Sequence, residues 1–159
     1  MTVKVGDQLP AGSLKVMGAD GPTDLTISEL CDGKKVVIFA VPGAFTPGCS
    51  VTHLPGFVVN ADKIKAQGVD SIVCLAVNDV FVMDAWGKAQ NAEELIMAAD
   101  GSGVYTEALG LVLDASSFGM GQRSKRYAIV DNGTITYLGV DAKGIDCLLY
   151  TSPSPRDDI

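Results

Sequence analysis

Lys35-Val36-Val37-Ile38-Phe39-Ala40-Val41-Pro42-Gly43-Ala44-Phe45-Thr46-Pro47-Gly48-Cys49-Ser50 is the stretch around which this chain is organised. The apolar residues after Lys35 follow one another without alternation, as in a strand covered on both faces. Pro42-Gly43 ends that strand, and Pro47-Gly48 prolongs the turn. Beyond Ser50 the chain becomes amphipathic through His53-Leu54 and Gly56-Phe57-Val58-Val59. The spacing predicts strand, turn and helix, with Cys49 at the mouth of the helix. A thiol there meets unpaired backbone N–H groups and the positive end of a helix dipole. Both favour thiolate, the nucleophilic form. Cys49 is therefore read as a nucleophile.

Working outward, Ser71-Ile72-Val73-Cys74-Leu75-Ala76-Val77 is a second continuous apolar run, expected as a central parallel strand. The helix between the two runs is expected from Cys49 to about Gln67. Pro55-Gly56 should kink or break it, and Gly68 should cap it. Asn78-Asp79 is expected to cap a helix at about 80–90 that carries Phe81, Val82, Ala85 and Trp86. Ile96-Met97-Ala98-Ala99 reads as a third core strand, followed by a short helix around Tyr105–Leu109. Residues 111–121 fit neither state, with Gly119 and Gly121 marking a loop. Tyr127-Ala128-Ile129-Val130, the turn Asp131-Asn132-Gly133 and Thr134–Leu138 form the strongest hairpin signal. Upstream, residues 1–34 read as a hairpin with a lead-in. Leu14–Met17 is one strand, Asp20-Gly21 a turn, and Thr26–Leu30 a helical turn with Ser28 near its cap. The element order is that of an α/β domain.

A chain of 159 residues is long enough to bury a core without disulfides or metals. Its hydrophobic content of 47% and mean hydropathy of +0.27 suit a globule rather than a disordered chain. Residues 1–149 are expected as one domain. Residues 150–159 are expected as a disordered or non-native tail, because Pro153 and Pro155 among small polar residues continue neither helix nor strand. A net charge of −7 disfavours nucleic acid and anionic membrane as partners. No apolar run is long enough to span a bilayer. Lys4 and Asp7 interrupt the start, so no secretion signal is expected and a reducing, cytoplasmic setting is the default. The alternative is an organellar form whose leader has been removed. Cys31, Cys49, Cys74 and Cys147 form no CxxC pair, so neither a zinc site nor a thioredoxin-type motif is expected. No metal or cofactor is called for.

Four chemistries compete for the central segment. Gly43 to Gly48 has the spacing of a phosphate loop, but the lysine that should follow is replaced by Cys49. A cysteine phosphatase needs an arginine close after its nucleophile, and Ser50-Val51-Thr52-His53-Leu54-Pro55 contains none. A cysteine hydrolase needs a base. His53, the single histidine, lies one turn along the same helix, and no acidic residue is evident to orient it. A surface or packing role suits it better. Thiol redox chemistry needs a low-pKa thiol, a donor for the peroxide and a cation for the developing charge. Thr46 supplies a hydroxyl. Arg123-Ser124-Lys125-Arg126, at the head of a predicted core strand, supplies cations, although such a cluster is more often simply solvated.

Pro42 to Ser50, with His53-Leu54-Pro55-Gly56-Phe57, resembles the signature of the peroxiredoxins, most closely the type II or peroxiredoxin 5-like subgroup. The resemblance extends through Val77-Asn78-Asp79, Ala85-Trp86-Gly87, Ala99-Asp100-Gly101 and Arg123 to Tyr127, and covers about residues 3–140. It implies a thioredoxin-like fold with a central mixed sheet flanked by helices. It also implies a thiol-dependent peroxidase for hydrogen peroxide and alkyl hydroperoxides. By position, Cys49 would be the peroxidatic cysteine and Thr46 would hydrogen-bond the thiolate and peroxide. Pro42 would shield the pocket, and Arg126, rather than Arg123, would be the active-site arginine. A homodimer is implied as well, through surfaces near the site.

Cys74 reads as a small buried hydrophobe in mid-strand. The resemblance implies a second possibility, that it resolves the sulfenic acid of Cys49 after local unfolding. Cys147 lies near, not on, the resolving position of other members, and Cys31 reads as a bystander. Otherwise glutathione with glutaredoxin, or thioredoxin, would reduce Cys49. A peroxide-sensing module with little turnover is the competing reading. One departure stands out: members normally end in an amphipathic helix, and Cys147–Ile159 shows no such pattern.

Overall fold

A computed structural model describes residues 2–46 and 54–140. Cys49, His53, Cys147, the expected end of the domain at residue 149 and the 150–159 tail all lie outside the described residues. The chain opens with the hairpin β1 (Ser13–Gly18) and β2 (Gly21–Thr26), paired in antiparallel register from Ser13–Thr26 to Gly18–Gly21. A single helical turn, α1 (Ile27–Cys31), follows. Its cap is Thr26, not Ser28. Thr26 accepts from the Glu29 N–H while the Glu29 carboxylate accepts from the Thr26 N–H. That reciprocal box satisfies two first-turn donors, which a serine one turn further in cannot do.

Next come β3 (Val36–Val41), α2 (Leu54–Ala66), β4 (Ser71–Ala76), α3 (Val80–Ala89) and β5 (Ile96–Ala99). The described helix α2 runs through Pro55-Gly56 without the expected break. Gly68 ends the segment at φ +95°, as expected of a left-handed cap. Asp79 alone caps α3, its Oδ1 accepting the Val82 N–H at 2.8 Å. Phe81 of α3 is 64% exposed, whereas Val80, Met83 and Trp86 point inward. They recur at three-residue spacing, and Phe81 falls off that stripe.

The remaining elements are α4 (Val104–Leu109), β6 (Val112–Asp114), a 3₁₀ turn (Ser116–Phe118), β7 (Gln122–Ser124), β8 (Tyr127–Asp131) and β9 (Ile135–Val140). The ambiguous 111–121 stretch thus contains β6, which forms a small two-stranded sheet with β7.

The main sheet has seven strands in the order β2-β1-β5-β4-β3-β8-β9. β3, β4 and β5 are parallel, while β8 lies antiparallel against β3. Every residue of β3 is buried, which is why its sequence shows no alternation. Val37, Phe39 and Val41 share one core with α2 and α3. Val36, Ile38 and Ala40 face the other core, with α1 and α4. Among the described residues no helix is long and apolar enough to cross a membrane. Because β3 and β4 run in parallel from Val36–Ser71 to Val41–Ala76, their following loops emerge together at one end of the sheet. The Pro42 turn lies at that end.

Candidate active site

Pro42 and Gly43 are buried where the chain leaves β3, and Pro42 brings no N–H with which to prolong the ladder. The next residues form a compact turn. Thr46 Oγ1 donates to the Gly43 carbonyl at 2.7 Å, and the Ala44 N–H donates to Asn78 Oδ1 at 2.9 Å. Phe45 has φ +64°, in the left-handed region, which costs a non-glycine residue on the order of 1 kcal/mol. Its ring, 54% exposed, tilts against Trp86 of α3 with centroids 6.4 Å apart. A Cβ on Gly43 would stand 3.2 Å from Thr46 Cγ2 and 3.3 Å from Met120 Cε, so the turn is packed closely there.

Arg126 is among the largest fully buried side chains. It directly precedes β8, whose first residue, Tyr127, pairs with Ala40 near the end of β3. A fixed positive charge is thereby held inside the protein at the end of β3, not on a solvated face. Arg123 is used differently. Its Nε donates to the Met120 carbonyl at 2.8 Å and its Nη1 to the Val77 carbonyl at 2.5 Å. It ties the β6–β7 arm to the end of β4. The structure thus brings Pro42, Thr46 and Arg126 to one end of the sheet, while Cys49 lies outside the described residues.

Cys74 sits in mid-β4 with no exposed surface, beside Phe39 and on the α2 face. Cys31 is far from the turn. It packs in the opposite core near the start of β3, where Val36 pairs with Asp131. Burial, and after it the nearby Asp131 carboxylate, pushes the Cys31 thiol up to about 12. Burial likewise raises Asp131, opposed by hydrogen bonds from the Gly133 N–H and the Cys31 thiol. This pair lines a cavity of about 550 Å³ at the pole away from Pro42. A smaller one, about 230 Å³, is lined by Val77, Gly101, Met120 and Arg123.

Asn78 was expected only as a cap, and its bond to Ala44 went unforeseen. One signal pointed to it. Two apolar runs of equal length, read as parallel strands, must end together, so polar residues just past the second meet the turn after the first.

The chain matches the Redoxin family over residues 4–146. It is 48% identical over 145 residues to Peroxiredoxin-2C of Oryza sativa subsp. japonica, covering 89% of this chain and 90% of that protein. It is 41% identical over 162 residues to the chloroplastic Peroxiredoxin-2E of Arabidopsis thaliana, covering 98% of this chain and 68% of that one. Among solved structures, reduced Prx3 of Vibrio vulnificus in complex with hydrogen peroxide superposes with a TM-score of 0.86 at 52% identity, covering 89% and 90% of the two chains. The mixed sheet with β8 laid antiparallel on β3 is therefore a thioredoxin-like peroxiredoxin fold. This chain belongs to the redoxin family, as a peroxiredoxin of the type II or peroxiredoxin 5-like subgroup, a thiol-dependent peroxidase.

Proposed function

We propose that the chain reduces hydrogen peroxide and alkyl hydroperoxides with Cys49 as the attacking thiolate. The observation that supports this reading is the buried Arg126, which directly precedes β8 where Tyr127 pairs with Ala40 near the end of β3. The sulfur attacks one peroxide oxygen. An S–O bond forms as the O–O bond breaks, and two electrons pass from sulfur to peroxide. The departing oxygen takes a proton and leaves as water or alcohol. Arg126 stabilises the negative charge that grows on the oxygens. Thr46 has one hydroxyl proton, held by the Gly43 carbonyl, so its hydroxyl turns from Gly43 to donate to thiolate or peroxide. Pro42 contributes an apolar wall that limits water.

The sulfenic acid condenses with one thiol, releasing water, and a second thiol frees Cys49. We assign glutathione with glutaredoxin, or thioredoxin, as the source of these thiols. Cys74 is the in-chain alternative, with Cys147 behind it. The burial of Cys74 in β4 favours one second reading, a peroxide sensor with little turnover, because an in-chain reset must first unwind part of α2. A homodimer fits the exposed Phe45, Phe81 and Phe118, which leave apolar surface for a second copy to cover. The cytoplasm is the assigned compartment, and the chloroplastic relative supports an organellar form as the alternative.

The test is peroxide consumption with each reductant, for wild type and for Cys49→Ser. Multiple turnovers by wild type, lost in the variant, are expected. Full turnover by Cys49→Ser would sink the reading, and a single turnover with every reductant would favour the sensor.

A further inference from the structure

We propose that Asn78 is a positioning residue for peroxide reduction, acting through Ala44 on the Pro42–Thr46 turn. This rests on the Cys49 reading above. Four observations converge. The Ala44 N–H donates to Asn78 Oδ1 at 2.9 Å, across 34 residues of sequence. That contact orients the side-chain amide, since an N–H can only face its oxygen. Ala44 is flanked by Gly43, whose carbonyl takes the Thr46 hydroxyl proton, and by Phe45, held at φ +64°. A left-handed phenylalanine persists only where its surroundings over-determine it, and the Asn78 bond on the preceding residue is one such restraint.

Asn78 is itself held on both sides. The Val77 carbonyl takes Arg123 Nη1, and Asp79 caps α3 through Val82. Behind it, the Asp100 N–H donates to the Ala76 carbonyl, and a Cβ on Gly101 would stand 3.6 Å from the Asn78 carbonyl. Asn78 is thus a short, fixed strut from the end of β4 to the turn after β3. It sets where the Gly43 carbonyl stands, and so which way the Thr46 hydroxyl points. A hydroxyl that must switch from a carbonyl to a reacting oxygen works only if both distances are kept. Misplacement on the scale of an ångström is enough to slow an oriented reaction strongly.

The experiment compares wild type, Asn78→Ala and Asn78→Asp. Peroxide reduction is followed as a second-order rate across pH, together with iodoacetamide alkylation of Cys49 and thermal melting. Asn78→Ala is expected to slow peroxide reduction about tenfold on its high-pH plateau. Alkylation, which needs the thiolate but no hydroxyl donor, should stay near wild type on its own plateau. Asn78→Asp keeps the acceptor and should recover most of the peroxide rate on that plateau. Its added negative charge should shift the profile to higher pH. An Asn78→Ala chain with the wild-type peroxide rate overturns the proposal. So does a loss in both variants that merely parallels their melting, or an equal loss in alkylation. If wild type left peroxide untouched, the Cys49 reading would fall and Asn78's role with it. An active wild type beside an unaffected Asn78→Ala removes only the latter.

Discussion

Phe57 of α2 stacks face to face on Phe39 of β3, with ring centroids 3.8 Å apart and planes 4° from parallel. Phe39 is the register partner of Cys74 on the neighbouring strand, and all three side chains belong to the same core. The stack therefore fastens α2 to the sheet beside the one described cysteine on its side. The barrier that keeps Cys74 from other thiols is the same packing that holds the start of α2 in place.

Phe57→Ala should lower the unfolding free energy by about 3–5 kcal/mol, the range for emptying a buried phenylalanine site. Urea denaturation measures the loss. Labelling of Cys74 by a maleimide in the native protein should accelerate in parallel, because local opening of α2 becomes easier. Slow labelling in a clearly destabilised variant would mean that α2 does not gate Cys74.

After one equivalent of peroxide, intact-mass analysis of wild type should show Cys49 oxygenated or joined to added glutathione, with a Cys49–Cys74 disulfide forming more slowly. Cys74→Ser should keep most glutathione-supported turnover. A Cys74→Ser chain that stalls after one turnover with glutathione present would make Cys74 the obligatory resolving thiol.

Thr46→Val and Arg126→Ala should each slow peroxide reduction by at least about tenfold, the scale of one removed transition-state donor. Arg126 is buried, so its variant should also melt lower. Comparing rates well below both melting points separates the two effects. Wild-type rates in either variant would remove its assigned role.

Asp131 and Cys31 give a pH signature remote from the site. Burial raises the Asp131 carboxyl, so the folded state binds its proton more tightly than the unfolded state. Its contribution is fully present below the unfolded carboxylate range and is lost as pH rises through the raised folded value. Asp131→Asn should flatten the decline in stability as pH rises above the ordinary carboxylate range, read by denaturant melts. Cys31, with its thiol pushed up to about 12, should resist alkylation in the native chain at neutral pH.

Much of the fold was legible because burial on both faces leaves a direct mark on a strand. β3 and β4 lack alternation for that reason, and the β8–β9 hairpin announces itself by the Asn132-Gly133 turn between two β-rich runs. β6 and β7 escaped, since strands of three residues show no period and owe their existence to each other. The N-cap of α1 slipped by two residues because Thr26 and Ser28 are both good caps, and only the reciprocal bond with Glu29 separates them.

By itself the sequence determined the α/β class, and its local pattern offered Cys49 as a nucleophile with the Thr46 hydroxyl nearby; the roles expected of Pro42 and Thr46 came from the resemblance. Choosing between Arg123 and Arg126 was beyond it except by resemblance, because the two lie three residues apart in one basic cluster. Their surroundings differ only in the folded chain: Arg126 is buried directly before β8, whereas Arg123 donates to the carbonyls of Met120 and Val77. The strut from Asn78 to Ala44 likewise exists only once two parallel strands end side by side. Local pattern encodes what a segment becomes. Which distant segments meet depends on strand order and register, which no short stretch of chain contains.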